Sequence, residues 1–321
     1  MSRRFGYLLL CSSLLAGFLM LPVILPELTA AELTAGRFLV TFLTCLLILP
    51  FRCECLSFLN RNNALQWFQR SLFGGVLFCL FLLIVVRELG LLAACLLILL
   101  LPALTRVIVL NTWDKSTLSI LALLTAGLII LVSGQEYQVA TLGNTIEGTL
   151  ALALAIVCWL VSARLQIKMV REEPLVDSSN QLLLTGLMSL PALLVLLILS
   201  NSHWYEMELA PVSSGLFGYW YWLIFSGVLV GIVSRNMWKK LNDSEGRSSG
   251  DVAAPAVIMT LFGYYSVQGL LPELNEWLVL IMMACSLIIE SGCRKASLSR
   301  RDNKYLQESY SRKNHTLESS E

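Results

Sequence analysis

The sequence predicts an all-α polytopic membrane protein, with about ten transmembrane helices arranged as two inverted five-helix repeats. Hydrophobic residues make up 56% of the 321 residues and charged residues only 14%, whereas a soluble domain carries about 25% charged residues. Mean hydropathy is +0.72, and the deficit of charge extends over nearly the whole chain. Apolar windows of about 20 residues recur along it, and basic residues fall on alternate connections between them.

Each predicted helix is an apolar window that is long enough to cross a bilayer. The window between 85 and 110 is nearly continuous. We divide it at Arg87-Glu88-Leu89-Gly90, because a charged pair followed by glycine is typical of a tight turn. The predicted spans cover residues 5–25, 30–51, 68–86, 89–110, 117–133, 147–167, 181–200, 216–238, 252–271 and 276–293.

The distribution of lysine and arginine predicts the orientation of the chain. When Arg3 and Arg4 are placed in the cytoplasm, every connection on that side carries basic residues. On the outer connections, Arg87 is the one basic residue. An even number of crossings returns the C-terminus to the cytoplasm. We therefore expect a multi-pass protein of the cell (inner) membrane, with the lipid bilayer as a partner and both termini cytoplasmic.

The position of the longest outer loop predicts an internal repeat. Five predicted spans precede the loop at 134–146 and five follow it. A unit with an odd number of spans must enter the membrane in the opposite orientation the second time, as in many transporters. We predict repeats over 1–133 and 147–293, followed by a charged, serine-rich and disordered cytoplasmic tail over 294–321.

Prolines and glycines inside the spans predict local features of the helices. Pro102 and Pro255 occupy similar places in the fourth and ninth spans. Such a proline can kink its helix where the backbone lines a wet cavity, or it can serve packing alone. The motif Gly227-x-x-x-Gly231 predicts that the eighth span approaches another helix closely.

Arg37 is the best single candidate for a functional residue. It lies seven residues into the second span, about 10 Å below the membrane surface. An arginine there costs roughly 2.5–3.5 kcal/mol on insertion scales, so it needs a partner or a water-filled cavity. Its forked donors suit a carboxylate or a phosphate. The alternative is a structural arginine that helix-end carbonyls or Glu32 satisfy.

Other basic residues lie near the predicted cytoplasmic ends of spans. Arg106, Arg164 and Arg235 can line the inner mouth of a cavity, or they can extend their charges to the membrane surface. Trp67 follows the polar linker Arg52–Gln66 and is expected at the membrane surface.

Several aromatic side chains lie within the spans of the second half. Together with Arg37, they would form a cavity that suits a zwitterionic or amphiphilic metabolite. The alternative for each is a lipid-facing or packing role. The predicted substrate-binding side chains besides Arg37 are Trp159, Phe262, Tyr264, Tyr265 and Gln268.

Missing motifs exclude several classes of function. The sequence contains no G-x-x-x-x-G-K-[ST] phosphate loop and no G-x-S-x-G motif, so we expect no ATP hydrolysis and no enzymatic activity. Nine scattered cysteines and two histidines predict neither a disulfide framework nor a metal site. No cofactor and no nucleic-acid partner is expected.

No acidic residue lies at mid-membrane, which favours exchange or facilitated passage over proton antiport.

The order of several loose motifs resembles one known family. The first two spans carry Gly17, Pro26 and Arg37, and the second half opens with Glu147-Gly148 and then Cys158-Trp159. Further motifs of the resemblance are Pro102, Asn111–Thr117, Gly127, Arg171-Glu172-Glu173-Pro174, Trp238 and Pro255. With these, residues 1–293 resemble an EamA-type ten-helix transporter of the drug/metabolite transporter (DMT) superfamily. Two places depart from the family pattern, namely Asn111–Lys115 and Ala16-Gly17.

The resemblance implies a secondary transporter that moves a small organic metabolite by alternating access. The implied substrates are amino acids, cofactors that resemble S-adenosylmethionine, and amphiphilic toxicants. We expect a monomer, although the sequence leaves the oligomeric state open. Two alternatives remain, a lipid flippase-like protein and a membrane-embedded enzyme or receptor.

Overall fold

The computed structural model describes residues 3–52, 61–134, 139–172, 178–199, 221–234, 250–269 and 271–290. Within these ranges all regular secondary structure is helical, and no strand occurs. Arg235 and the predicted tail over 294–321 lie outside the described residues.

The described helices are numbered in chain order, and interrupted helices keep one number. They are α1, Arg3–Ile24; α2, Ala30–Ile48; α3, Arg61–Ser71, Leu72–Leu77 and Phe78–Glu88; α4, Leu91–Leu104 and Thr105–Val109; α5, Lys115–Gly134; α6, Val139–Glu172; α7, Ser178–Leu187 and Ser189–Leu199; α8, residues 221–234; α9, Gly250–Gln268; and α10, residues 274–290. The segments Leu72–Leu77, Thr105–Val109 and Phe225–Ser234 are π-helical.

Seven helices of the described chain, α1 to α7, are long and apolar enough to cross a membrane, and they coincide with the first seven predicted spans. The chain is therefore an all-α, multi-pass membrane protein. In α8 the described apolar stretch, Tyr221–Val233, is shorter. α9 and α10 occupy the places of the ninth and tenth predicted spans. The count of ten crossings and the inverted repeat stay predictions.

The start of α2 is fixed by a capping box. The Thr29 hydroxyl accepts from the Glu32 backbone N–H at 3.2 Å, and the Glu32 carboxylate accepts from the Thr29 backbone N–H at 2.7 Å. This arrangement satisfies two otherwise orphaned donors at the helix start. Glu32 is thus occupied at the helix end, so the alternative in which it satisfies Arg37 is wrong.

The division between α3 and α4 confirms the predicted turn. Gly90 adopts φ = 87°, a left-handed conformation that glycine tolerates because it has no Cβ. Arg87 joins this turn to the connection between α1 and α2, since its guanidinium donates to the Leu28 carbonyl at 3.2 Å.

α4 forms the centre of the bundle. Every residue from Leu91 to Ala103 is buried, as expected for a helix that is apolar on all sides. α4 packs against α5, α9, α3 and α6. Pro102 lies within this buried stretch, and the π-helical turn Thr105–Val109 follows it.

Three further helices differ from a regular span in continuity, proline content or length. α7 is interrupted at Met188, because the ring of Pro191 clashes with the carbonyl four residues earlier, at Leu187. α9 contains Pro255 inside a continuous helix. α6 has 34 residues, which is longer than the predicted span and longer than a bilayer requires.

Candidate functional site

Arg37 reaches from α2 into a contact between three helices. Its Cζ lies 4.0 Å from the ring centroid of Phe18 in α1 and 5.5 Å from that of Phe38 in α2. Its Nη1 donates to the Cys79 Sγ in α3 at 3.7 Å, although a thiol is only a weak acceptor. Its Nε is buried and has no hydrogen-bond partner.

The charge of Arg37 is not neutralised within the described part of the chain. No carboxylate there lies within 4.0 Å of its guanidinium, and Glu32 is held in the capping box. The Phe18 ring face stabilises the cation through its quadrupole, but it gives the buried Nε–H no acceptor. The guanidinium is therefore available to bind an anion.

α8 fixes the backbone around Arg37. The Thr41 hydroxyl lies 2.9 Å from the Arg37 carbonyl oxygen of its own helix and 3.1 Å from the Gly227 carbonyl oxygen of α8, so its one hydrogen is shared between the two acceptors. A Cβ on Gly227 would lie 2.8 Å from the Arg37 carbonyl oxygen, and one on Gly231 would lie 2.9 Å from the Thr41 Oγ1. These distances confirm the close helix approach that the two glycines predict.

The N-terminal part of α3 continues the buried surface beside Arg37. Trp67 and Ser71 are each 1% exposed, and neither side chain has a hydrogen-bond partner. Trp67 packs against Met169 of α6 and Leu184 of α7. α3 begins at Arg61, so part of the predicted polar linker is helical and the Trp67 indole lies between two neighbouring helices. Its expected depth at the membrane surface stays a prediction.

The predicted aromatic residue Trp159 serves a second interface. Its indole N–H donates to the Thr105 hydroxyl at 3.0 Å, where α4 becomes π-helical. Its ring centroid lies 5.3 Å from that of Phe78 in α3. Trp159 thus joins α6 to α3 and α4.

The predicted residues of α9 lie on different faces of that helix. Tyr264 and Tyr265 pack against the core with ring centroids 5.3 Å apart, and Tyr265 lies near Glu276 at the start of α10. Phe262 is 75% exposed and Gln268 is also exposed. Within the described residues, no ring, hydrogen-bond or ion-pair contact joins any of these four to Arg37.

The three arginines that were predicted to line the inner mouth of the cavity do not share one environment. Arg106 forms an ion pair with Glu290 of α10 at 3.4 Å, so its charge is held by a side chain of the second half. Arg164 is exposed on α6. Arg235 lies outside the described residues, and its role stays a prediction.

Several residues around Arg37 were not predicted from the sequence. Phe18 and Cys79 contact the guanidinium, and Ser71 lies two turns before Cys79 on α3. One signal was present in the sequence. Small or polar residues recur every four positions at Ser71, Gly75 and Cys79, which is the spacing of one helix face.

The described residues contain no cluster of three or more metal-ligating side chains.

No family model and no curated protein matches the chain. Among solved structures, one described by the words "Crystal structure of protein" superposes with a TM-score of 0.55 at 15% identity, and the alignment covers 90% of this chain and 96% of that one. At that identity the likeness concerns the fold alone.

Proposed function

We propose that the chain is a secondary transporter of the EamA type that moves a small zwitterionic or anionic metabolite across the cell (inner) membrane by alternating access. One observation carries the proposal. Arg37 is a fixed cation inside a membrane-length helix, and the described residues provide aromatic and thiol contacts to it but no carboxylate. Buried arginines without a counter-ion typically belong to substrate or ion pathways.

The pattern of helix packing supports two inverted halves. In an inverted repeat α1 would be equivalent to α6, α2 to α7, and so on to α5 and α10. Under this equivalence, each contact between a helix of the first half and a helix of the second half should have an equivalent contact elsewhere in the bundle. The α2–α8 contact corresponds to α7–α3, α1–α9 to α6–α4, and α1–α8 to α6–α3, whereas α2–α7 and α4–α9 correspond to themselves. A pseudo-two-fold axis generates such pairs, because each contact then has a counterpart.

The transport test compares Arg37→Gln with Arg87→Gln in vesicles that contain the full chain. The screen covers amino acids, S-adenosylmethionine and small organic phosphates, in both uptake and efflux. We expect Arg37→Gln to lower kcat/KM by about 10–100-fold, since a hydrogen bond to a charged group contributes about 1.5–3 kcal/mol. Arg87 binds carbonyls at the turn, so Arg87→Gln retains transport. Unchanged kinetics in a correctly inserted Arg37→Gln would overturn the proposal.

Exchange or facilitated passage is favoured over proton antiport. Among the described residues, Glu32 and Glu88 lie at helix ends, and Glu147 lies eight residues after the start of α6, where the sixth predicted span begins. A proton-coupled carrier commonly needs a carboxylate that titrates within the membrane. Proton flux in a fixed ratio to solute flux would contradict this part of the proposal. Flux of labelled lipid in place of the solute would favour a flippase.

A further inference from the structure

Three buried polar atoms of the described side chains have no hydrogen-bond partner. They are Arg37 Nε, Trp67 Nε1 and Ser71 Oγ. Native structures satisfy most buried polar groups, so each unsatisfied one calls for a physical reason. The two N–H groups can only donate, and the serine hydroxyl can donate as well as accept. All three therefore have a hydrogen bond to offer to an acceptor.

Two of the three groups, Trp67 and Ser71, lie on one line along α3 that leads to the place where Arg37 of α2 contacts this helix. Trp67, Ser71, Gly75 and Cys79 are all buried, and Cys79 is the residue that contacts Arg37. Their spacing of four places them along one side of the helix. At 1.5 Å per residue, Ser71 lies about 12 Å from Cys79 along the helix axis, and Trp67 lies about 6 Å further.

Phe38 separates the two parts of this line. A Cβ on Gly75 would lie 3.2 Å from the Phe38 ring and 3.9 Å from the Ser71 Oγ. Because Gly75 has no side chain, the Phe38 ring packs directly against it. The ring therefore lies beside Arg37 at one end and near Ser71 at the other. At the far end, Trp67 is covered by Met169 and Leu184.

We infer that Ser71 and Trp67 form a second, inner subsite for the anionic group of the solute, which reaches them from Arg37 past Gly75 when the Phe38 ring moves aside. The inference rests on the proposed transport function. The ligand chemistry is that of a carboxylate or phosphate oxygen, because the line offers donors and a cation and no carboxylate. With the Phe38 ring in place the subsite is closed, and in the inward-open state its donors meet the solute.

Thiol reagents of opposite charge test the subsite whatever the identity of the solute. In the full chain carrying Ser71→Cys, in membrane vesicles, the anionic 2-sulfonatoethyl methanethiosulfonate is compared with the cationic 2-trimethylammonioethyl methanethiosulfonate. Modification is followed for each cysteine by mass spectrometry, with Trp113→Cys, at an exposed position in the connection between α4 and α5, as reference. Arg70 precedes Ser71, and its Cζ lies 5.8 Å from the Trp67 ring centroid, so it also attracts an anion to this place. We expect the anionic reagent to react with residue 71 about tenfold faster after normalisation, and Arg37→Gln to lower this preference.

A matched control separates the subsite from buried hydroxyl positions in general. Thr260 is fully buried in α9, and its hydroxyl donates to the Ala256 carbonyl at 2.7 Å. Thr260→Cys should react with neither reagent. Equal rates at residue 71, a faster cationic reagent, or no reaction with either reagent would overturn the inference.

A second variant keeps the inference testable if Ser71→Cys does not insert. Trp67→Cys places a thiol at the far end of the same subsite, so it should react faster with the anionic reagent than with the cationic one. Trp113 is exposed and lies outside the subsite, so Trp113→Cys should react with both reagents at similar rates. Equal rates of the two reagents at residue 67 would contradict the subsite.

The two proposals fail separately. Anion-selective labelling in a chain that transports no solute would keep the subsite and overturn the transport function. Transport that depends on Arg37, combined with an unreactive residue 71, would keep the function and overturn the subsite.

Discussion

Arg37 shows how far aromatic contacts can compensate a buried charge. Insertion of an arginine at the centre of a span costs roughly 2.5–3.5 kcal/mol, whereas a cation–π contact contributes about 0.5–2 kcal/mol. One close ring, Phe18 at 4.0 Å, therefore offsets part of the cost. The remainder favours a bound anion, which is why the charge argues for a ligand more strongly than for packing alone.

A double-mutant cycle measures the coupling between Arg37 and Phe18. Phe18→Leu removes the ring face while keeping an apolar side chain, and Arg37→Met removes the charge. We expect a coupling energy of about 1 kcal/mol in thermal unfolding of the detergent-solubilised chain. Phe81 packs against the same core, so Phe81→Leu combined with Arg37→Met should be additive. A coupling of zero for the Phe18 pair would contradict the contact.

At the scale of elements, α2 is held by polar contacts to the second half of the chain. The Thr41 hydroxyl shares its hydrogen between the Arg37 carbonyl and the Gly227 carbonyl of α8. The Ser189 hydroxyl of α7 likewise shares its hydrogen between the Gly186 carbonyl and the Phe38 carbonyl of α2. Hydroxyl-to-backbone bonds and small residues are the usual means by which helices associate in lipid, where apolar surface alone provides no preference. α2 thus presents Arg37 from a backbone that two other helices fix.

Glycine-to-alanine substitutions test the close approach of α8 to α2. A Cβ on Gly227 would lie 2.8 Å from both the Arg37 carbonyl oxygen and Val40. The helices must then separate, and we expect Gly227→Ala to destabilise the fold by about 1–3 kcal/mol. On Gly263 a Cβ would meet nothing within 4 Å, so Gly263→Ala should stabilise α9 by up to about 1 kcal/mol. Equal unfolding midpoints for the two variants would refute the contact.

Charge exchange tests the pairing of α4 with α10. The Arg106 and Glu290 side chains are 29% and 15% exposed, so water screens their attraction only in part. Arg106→Glu places two carboxylates together and should lower the unfolding free energy by about 1 kcal/mol. The double variant Arg106→Glu/Glu290→Arg restores opposite charges and should recover much of that loss in the same thermal assay. Failure of the exchange to recover stability would count against the pairing.

At the scale of the whole molecule, the sequence predicted what the bilayer itself dictates. Seven spans followed from apolar length, and the turn at Gly90 followed from its flanking charges. Arg37 could be identified because a charge stands out in an apolar window. Phe18 and Cys79 could not, because every face of a membrane helix is apolar and composition does not reveal which face meets a neighbour.

The contact between the two halves provides the strongest test of alternating access. A Cβ on Gly186 of α7 would contact the Cys45 Sγ of α2 and lie 3.3 Å from its Cβ. Disulfides join Cβ atoms about 3.5–4.5 Å apart, so Gly186→Cys needs only a small shift to bond with Cys45. We expect oxidation to form this bond, to prevent the halves from moving past each other, and to stop transport.

Reduction should then restore transport in Gly186→Cys, since the bond alone arrests the cycle. Gly263→Cys has no neighbour within 4 Å, so it controls for the added thiol and should transport equally under both conditions. Transport that continues at the wild-type rate with the Cys45–Gly186→Cys bond formed would mean that α2 and α7 move as one body. The axis of motion would then have to lie elsewhere in the bundle.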